Sequence, residues 1–204
     1  DRRHDSADDR LPVDRMGPGM NVTALTVSRR PVDRPIFGIE RKCLHGRHFT
    51  RASHVRDAWL DALELVETDR FFFIDDTDEL PFDILDVLEQ CIATGAALAY
   101  TDELVGAQRR ERAAYSQAAH IANPTLVHHL ALCDTQLARE VARDLPVGDY
   151  WPEMLLFWEM AKRGGAAHVP RVGYIWRKEA TGLHREPFTV RGMAASRAWC
   201  IANP

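Results

Sequence analysis

Residues 71–103 of the chain are FFFIDDTDELPFDILDVLEQCIATGAALAYTDE. The continuous apolar run 71–74 predicts a short strand covered on both faces of a sheet. An acidic turn, Asp75-Asp76-Thr77-Asp78, follows at once, and Pro81 then begins a segment with apolar residues at helical spacing. Residues 96–100 predict a second buried strand. This order is typical of an α/β fold, in which ligands bind beyond the carboxyl ends of the strands.

The flanking sequence extends the alternation of strands and helices. Strands are predicted at 22–27, 166–169 and 172–176, helices at 51–66, 126–141 and 154–161, and a solvated loop at 108–112. We therefore expect a single domain over residues 21–204, with a mostly parallel central sheet and helices on both faces. Residues 1–20 are charged, contain Pro and Gly and lack apolar periodicity, so we expect a charged arm or tail there.

Composition limits the classes of function. The 204 residues carry a formal net charge of -4, which argues against a domain that holds nucleic acid through a dominant basic surface. The four cysteines, at positions 43, 91, 133 and 200, lack the spacing of a zinc module. The sequence has no apolar run of about 20 residues and no secretory signal, so we expect no membrane span and a cytoplasmic location.

The acidic turn is the strongest chemical signal. Carboxylates at 75, 76 and 78 repel one another unless a cation or hydrogen bonds offset their charge. Magnesium or manganese suits such hard oxygen ligands and can bridge two phosphates of a nucleotide sugar. The alternative interpretation is an acidic helix N-terminus, with Thr77 or Asp78 capping the helix that begins near Pro81.

Two segments carry a resemblance to a known family. Residues 71–103 resemble the central segment of family-2 glycosyltransferases of the GT-A fold, in which a strand ends in an aspartate motif and the following strand ends in a motif similar to Tyr100-Thr101-Asp102-Glu103. Residues 166–186, AAHVPRVGYIWRKEATGLHRE, resemble that family's later "hiPrvLYhWR" segment. The resemblance covers roughly residues 50–185. Residues 28–50 leave little room for the family's usual helix and second strand, so the nucleotide-binding half looks shortened.

The resemblance implies a metal-dependent, inverting, hexosyltransferase-type glycosyltransferase. Such an enzyme moves a sugar from a nucleoside diphosphate sugar to a hydroxyl acceptor, here a glycan or a modified DNA base. Two alternatives stay open. One is a GT-like domain that binds without catalysis, and the other, ranked lower, is a nucleotidyltransferase with similar metal carboxylates.

Most candidate donor-side residues follow from the two segments, and Arg29 comes from the polar end of the strand predicted at 22–27. We expect Asp76 and Asp78 to bind the divalent metal, with Asp75 orienting them and His184 as the candidate third ligand. Asp75, Asp76, Trp176, Arg177 and Arg29 are the candidate contacts to the donor and its diphosphate, since guanidinium groups suit phosphate oxygens.

The acceptor side is predicted around the start of a late helix. An inverting transferase needs a group that removes the acceptor's proton, and the family draws it from an acidic motif at such a position. Glu153 is the first candidate and Asp149 the second, although Glu153 could merely complement the helix dipole. Tyr150 and Trp151 are expected to form an apolar wall for the acceptor, or to pack in the core. The pair at 128 and 129, both histidines, is interpreted as structural or as part of the acceptor site.

Overall fold

A computed structural model describes residues 20–28, 31–32, 36, 38–46, 48–177 and 186–204. The predicted arm at residues 1–20 lies outside this part of the chain except for Met20, as do Arg29 and His184. Within the described ranges the chain forms seven strands and six helices, in the order β1 (Val22–Val27), β2 (Glu40–Leu44), α1 (Ala52–Leu63), β3 (Arg70–Phe73), α2 (Ile84–Ala93), β4 (Leu98–Val105), β5 (Gln108–Arg110), α3 (Gln117–Ala122), β6 (Ala131–Asp134), α4 (Thr135–Asp144), α5 (Pro152–Gly164), β7 (Ala166–Trp176) and α6 (Pro187–Ala202).

The strands form one mixed sheet with the order β2-β1-β3-β6-β4-β5, and β7 pairs with β4. The pairs β1–β2, β1–β3 and β4–β7 are parallel, whereas β6 is antiparallel to both β3 and β4, and β5 is antiparallel to β4. Five strands consequently run in one direction and two, β5 and β6, in the other. The predicted mostly parallel sheet is confirmed.

Both faces of the sheet are covered by helices. On β1 and β3, Leu25 and Phe71 pack with α1, α4, α5 and α6, whereas Ala24 and Phe72 pack with α2. All four side chains are fully buried. This explains why the strands have continuous apolar sequences, because successive residues of a strand point to opposite faces. The predicted α/β architecture with helices on both faces is therefore confirmed.

Several sequence predictions need correction. The helix predicted over 126–141 is instead β6 followed by α4, because residues 131–134 pair with β3 and β4. Asp134 then accepts a 2.9 Å hydrogen bond from the Leu137 N–H and so caps α4. A short buried strand and a helix segment have the same apolar composition, so periodicity alone did not separate them.

The segment 108–112 was predicted to be a solvated loop, and this is wrong. Its first part forms β5, which turns back on β4 at Gly106, a residue with a φ of 62°. The two strands predicted around Pro170 are one strand, β7, with an irregularity in its pairing to β4 at that point. Strand β2 and helix α6 were not predicted. Strand β2 lies directly parallel to β1, within the segment 28–50 where the sequence left little room for a second strand.

No helix in the described part of the chain has the length and apolarity needed to cross a membrane. The arrangement of the elements instead creates a pocket at one end of the sheet. The carboxyl ends of β1 and β3 meet there, opposite the N-terminal turns of α5 and α6.

Candidate active site

A pocket of about 190 Å³, here called the central pocket, opens at the carboxyl ends of β1 and β3. Its walls are rich in aromatic side chains, contributed by Phe49, Trp59, Phe73, Trp151 and Trp176. The Trp59 and Phe73 rings stack with their centroids 3.6 Å apart. The polar part of the lining is smaller and comes from Asp75, Arg110, Thr125, His128, Glu153 and Thr189. A mostly apolar cleft with a few converging polar groups is typical of a ligand site.

Asp75 stands at the carboxyl end of β3 and lines the central pocket. The residue as a whole is exposed to solvent, yet the walls of the cleft surround its carboxyl group. The resulting loss of hydration, followed by the negative charge of Asp78, raises the pKa of Asp75 to about 7. Because the pKa of Asp75 is raised, a cation close to its carboxyl group would stabilise the charged form.

Asp78 has a different environment, because it is buried and tied to β7. Its Oδ2 accepts a 2.8 Å hydrogen bond from the Tyr174 hydroxyl, and its Oδ1 accepts one of 2.8 Å from the Arg177 backbone N–H. The Tyr174 hydroxyl in turn accepts a 3.0 Å hydrogen bond from the Asp75 N–H. Asp78 and Tyr174 together fix the shape of the acidic turn and dock it on the end of β7.

A divalent cation fits two of the turn's three carboxylates. In the described residues no cluster of three or more His, Cys, Asp or Glu side chains forms a ready metal site. Asp75 and Asp76 make no side-chain hydrogen bonds within this part of the chain, whereas both oxygens of Asp78 are engaged. Magnesium is commonly bound by one or two carboxylates that act together with substrate phosphates. Asp75 and Asp76 could therefore serve as two ligands of a hard divalent cation that takes its other ligands from a bound molecule or from water.

Glu153 lies in the first turn of α5, is buried, and reaches the central pocket. Its Oε1 forms a 2.5 Å hydrogen bond with His128 Nδ1, and its Oε2 accepts a longer one, 3.4 Å, from the Trp151 indole N–H. Burial alone would raise the pKa of Glu153, but the charge of His128 and their hydrogen bond lower it overall. Glu153 is thus held ionised beside the pocket.

A second ion cluster lies behind His128. His129 Nδ1 forms a very short contact with Glu103 Oε2, and Glu103 Oε1 accepts hydrogen bonds from Arg110 at 2.9 Å and Arg112 at 2.7 Å. Burial alone would raise the pKa of Glu103, but the hydrogen bond from His129 and the neighbouring cations lower it to about 2. The His129 ring stacks on Tyr174 with centroids 4.5 Å apart. Contacts therefore run without a break from this cluster to the acidic turn.

The backbone of His129 is unusual. Its φ of 43° makes it the one non-glycine residue with a positive φ in the described ranges. Such a conformation is uncommon, and it occurs preferentially where a functional arrangement requires it. Here it lets two consecutive rings, centroids 3.9 Å apart, bond to different carboxylates, His128 to Glu153 and His129 to Glu103.

The structure brings some of the predicted site residues together and separates others. Asp75, Glu153, Trp151 and Trp176 all line the central pocket. Asp149 does not, since it is exposed and accepts a 3.2 Å hydrogen bond from the Ser53 N–H at the start of α1.

Three further predicted residues are also placed away from the pocket walls. Tyr150 is half-buried and packs against the core beside Trp151. The exposed guanidinium of Arg177 pairs with Glu79 at 2.7 Å. Asp76 lies next to Asp75 on the turn without lining the pocket.

Sequence reasoning placed Arg110 in a solvated loop, whereas the residue lines the pocket and its guanidinium lies 5.5 Å from the centre of the Trp176 ring. It also missed the second ion cluster. The sequence did contain a signal for this cluster. Asp102 and Glu103 are followed seven residues later by Arg109 and Arg110, and Gly106 lies between the two pairs. A hairpin centred on that glycine brings the two pairs together.

The fold and the site define a class of protein. A mostly parallel sheet with helices on both faces and an acidic turn at the carboxyl end of a central strand constitutes a GT-A-like fold, as the sequence predicted.

Solved structures of TarS from S. aureus share this fold. The structure of its residues 1–349 in complex with UDP-GlcNAc has a TM-score of 0.60 and 10% sequence identity, over 90% of this chain and 67% of that one. A second structure of residues 1–349 has a TM-score of 0.52 and 10% identity, over 76% and 60% of the two chains. A further TarS structure gives 0.58 and 10%, over 90% and 40%. The chain thus spans from two fifths to two thirds of these structures.

Sequence comparisons add nothing to this structural similarity. No model of a known protein family matches the chain, and no curated protein matches it. At 10% identity the likeness to TarS establishes the fold alone.

Proposed function

We propose that this chain is a metal-dependent, inverting glycosyltransferase that moves a hexose from a nucleoside diphosphate sugar to a hydroxyl acceptor. The observation that carries the proposal is the placement of Asp75 and Glu153 in one aromatic-walled pocket. One carboxylate ends a central strand, where this fold class binds ligands, and the other begins a helix on the opposite wall. Sugar transfer with inversion needs groups that bind the departing diphosphate on one side of the anomeric carbon. It needs a group that takes the acceptor's proton on the other side.

On the donor side, Asp75 and Asp76 are the proposed ligands of magnesium or manganese, and Asp78 is the residue that holds the turn. The metal would neutralise charge on the departing diphosphate. Trp176 would flank the donor, and Arg177 would be positioned by its backbone hydrogen bond to Asp78. The UDP-GlcNAc bound to TarS supports a nucleotide sugar as the donor class for a chain of the same fold.

On the acceptor side, Glu153 and not Asp149 belongs to the proposed acid–base centre. Glu153 lines the pocket and is kept ionised by its contact with His128, as a proton-accepting centre at neutral pH requires. Asp149 is occupied with the N-terminus of α1. Trp151 and Trp176 offer flat apolar faces that suit either a sugar ring of a glycan or a modified base of DNA.

The experiment is an incubation of the protein with manganese or magnesium and a panel of nucleotide sugars. Oligosaccharides and DNA with a hydroxylated base are supplied as acceptors. Release of a nucleoside diphosphate together with a glycosylated product supports the proposal. Nucleotide-sugar binding without turnover would indicate a non-catalytic domain, and release of pyrophosphate from a nucleoside triphosphate would indicate a nucleotidyltransferase.

A further inference from the structure

We propose that the atom that receives the acceptor's proton is His128 Nε2, and that Glu153 acts through this imidazole instead of taking the proton itself. The inference rests on the proposed function and identifies a catalytic residue within the same site. It comes from the way the two side chains are bonded to each other and to the pocket.

The hydrogen bonding of His128 leaves one ring nitrogen, Nε2, available to accept a proton. Its Nδ1 is 2.5 Å from Glu153 Oε1, and because an ionised carboxylate can only accept, Nδ1 carries the hydrogen. Nε2 has no hydrogen-bond partner among the described residues, and the half-buried ring lines the central pocket. A neutral imidazole held in this way presents an Nε2 lone pair to a bound molecule.

The bonding of Glu153 leaves it poorly suited to act directly. Oε1 is occupied by His128, and Oε2 faces the Trp151 indole N–H at 3.4 Å. Both partners donate hydrogen, so both favour the charged carboxylate and weaken it as a base. A carboxylate that orients an imidazole and stabilises its protonated form is the arrangement used by Ser-His-Asp triads.

The charges around His128 also favour its protonated form. Burial alone would lower the pKa of His128, but the surrounding carboxylates raise it above the ordinary value. A raised pKa makes the neutral imidazole a stronger proton acceptor, whereas the lowered pKa of Glu153 makes its carboxylate a weaker one. The charged and titratable groups that face the ring are Glu153 from α5, Glu103 from β4, Asp75 from the end of β3, the adjacent His129, and Arg110 from β5, which lines the same pocket.

The step is balanced as follows. The acceptor oxygen forms a bond to the anomeric carbon while the bond from that carbon to the phosphate oxygen breaks, and the diphosphate leaves with the electron pair. The acceptor's proton passes to His128 Nε2. The imidazolium that forms is stabilised by the Glu153 carboxylate and later returns the proton to solvent.

The first test uses His128→Asn. The shorter amide can occupy the place of Nδ1 and still donate to Glu153, but it has nothing at the place of Nε2. We expect UDP affinity by calorimetry and the unfolding midpoint to stay close to the wild type, while turnover falls by about 10²- to 10⁴-fold, the usual contribution of a general base. The exposed His54 provides the control, and His54→Asn should keep full turnover. Near-normal turnover in His128→Asn would overturn the assignment.

The second test separates chemistry from structure. In His128→Ala, added imidazole should restore part of the turnover, and the restored rate should rise as imidazole loses its proton near pH 7. No rescue at any imidazole concentration, in a variant that still binds UDP, would count against a proton-accepting role. A wild-type protein inactive toward every nucleotide sugar would instead overturn the proposed function, and this assignment with it.

Discussion

The Tyr174 hydroxyl donates a 2.8 Å hydrogen bond to Asp78 Oδ2, across 96 residues of sequence, and accepts one of 3.0 Å from the Asp75 N–H. One phenol therefore organises both ends of the acidic turn. The same ring stacks on His129, so the turn and the second ion cluster share a support. The carboxylates of the turn divide into one that holds the structure, Asp78, and two that can meet a ligand, Asp75 and Asp76.

Replacing Tyr174 by Phe should loosen this turn. The change leaves Asp78 buried with an unpaired oxygen and the Asp75 N–H without its acceptor, and we expect a loss of about 1–3 kcal/mol in the free energy of unfolding. Urea denaturation measures it. Tyr150 provides the matched control, because it makes no side-chain hydrogen bond within the described ranges, so Tyr150→Phe should change the stability by less than about 0.5 kcal/mol. Equal stabilities of the two variants would contradict the role of Tyr174.

The three carboxylates of the turn make different contacts, so replacing each of them should have a different effect on metal binding and on stability. Asp75→Asn and Asp76→Asn should each remove most of the manganese-dependent increase in thermal stability produced by UDP, because each deletes the charge of a proposed metal ligand. Asp78→Asn should lower the melting temperature without ligand, since it disturbs the hydrogen bonds from Tyr174 and Arg177. If Asp76→Asn and Asp78→Asn abolished the metal effect while Asp75→Asn kept it, the sequence prediction of Asp76 and Asp78 as the ligands would stand instead.

Glu153→Gln tests the carboxylate of the proposed acid–base centre. The shape of the side chain is kept, but the amide no longer stabilises an imidazolium or fixes the hydrogen on Nδ1. We expect unchanged UDP affinity and a fall in turnover of at least about 100-fold. Asp149→Asn is the companion variant, and it should keep turnover because that residue only accepts a hydrogen bond from the start of α1. The opposite pattern would move the centre to Asp149.

His120 should make stability sensitive to mild acid. The ring is buried in contact with Tyr115 and Trp158, and burial lowers its pKa to about 4, opposed in part by the Met154 backbone and Glu153. In the unfolded chain the histidine binds a proton near pH 6.5, so between about pH 6.5 and pH 4 the unfolded state binds more protons. The contribution of His120 to the free energy of unfolding is therefore fully present above about pH 6.5 and is lost as the pH falls toward 4.

The size of this effect follows from the pKa difference. From pH 7 to pH 5 we expect His120 to account for about 2 kcal/mol of destabilisation. Urea titrations of wild type and His120→Phe at both pH values isolate it, because other titrating groups are common to the two proteins. The exposed His54→Gln is the control and should follow the wild type. Parallel losses in wild type and His120→Phe would show that His120 is not the group responsible.

A large part of the fold was contained in local sequence. The apolar run before the acidic turn predicted β3, the periodic residues after Arg51 predicted α1, and Pro152 followed by apolar residues predicted α5. Local patterns failed where a segment's structure depended on distant partners. Residues 131–134 became a strand only because β3 and β4 offered unpaired edges on either side. Residues 108–110 joined the sheet because buried Asp102 and Glu103 hold their arginines.

By itself the sequence determined an α/β chain with an acidic turn at the end of a buried strand and a carboxylate at the start of a late helix. Those features depend on the order of neighbouring residues, on their periodicity and on turn chemistry. Only the tertiary structure decided which partners these carboxylates have. Glu153 is hydrogen-bonded to His128, Asp149 to the start of α1, and Asp78 to Tyr174. These are contacts between residues 25 to 96 positions apart. They depend on strand order and register, which the packing of the whole core sets and no local pattern encodes.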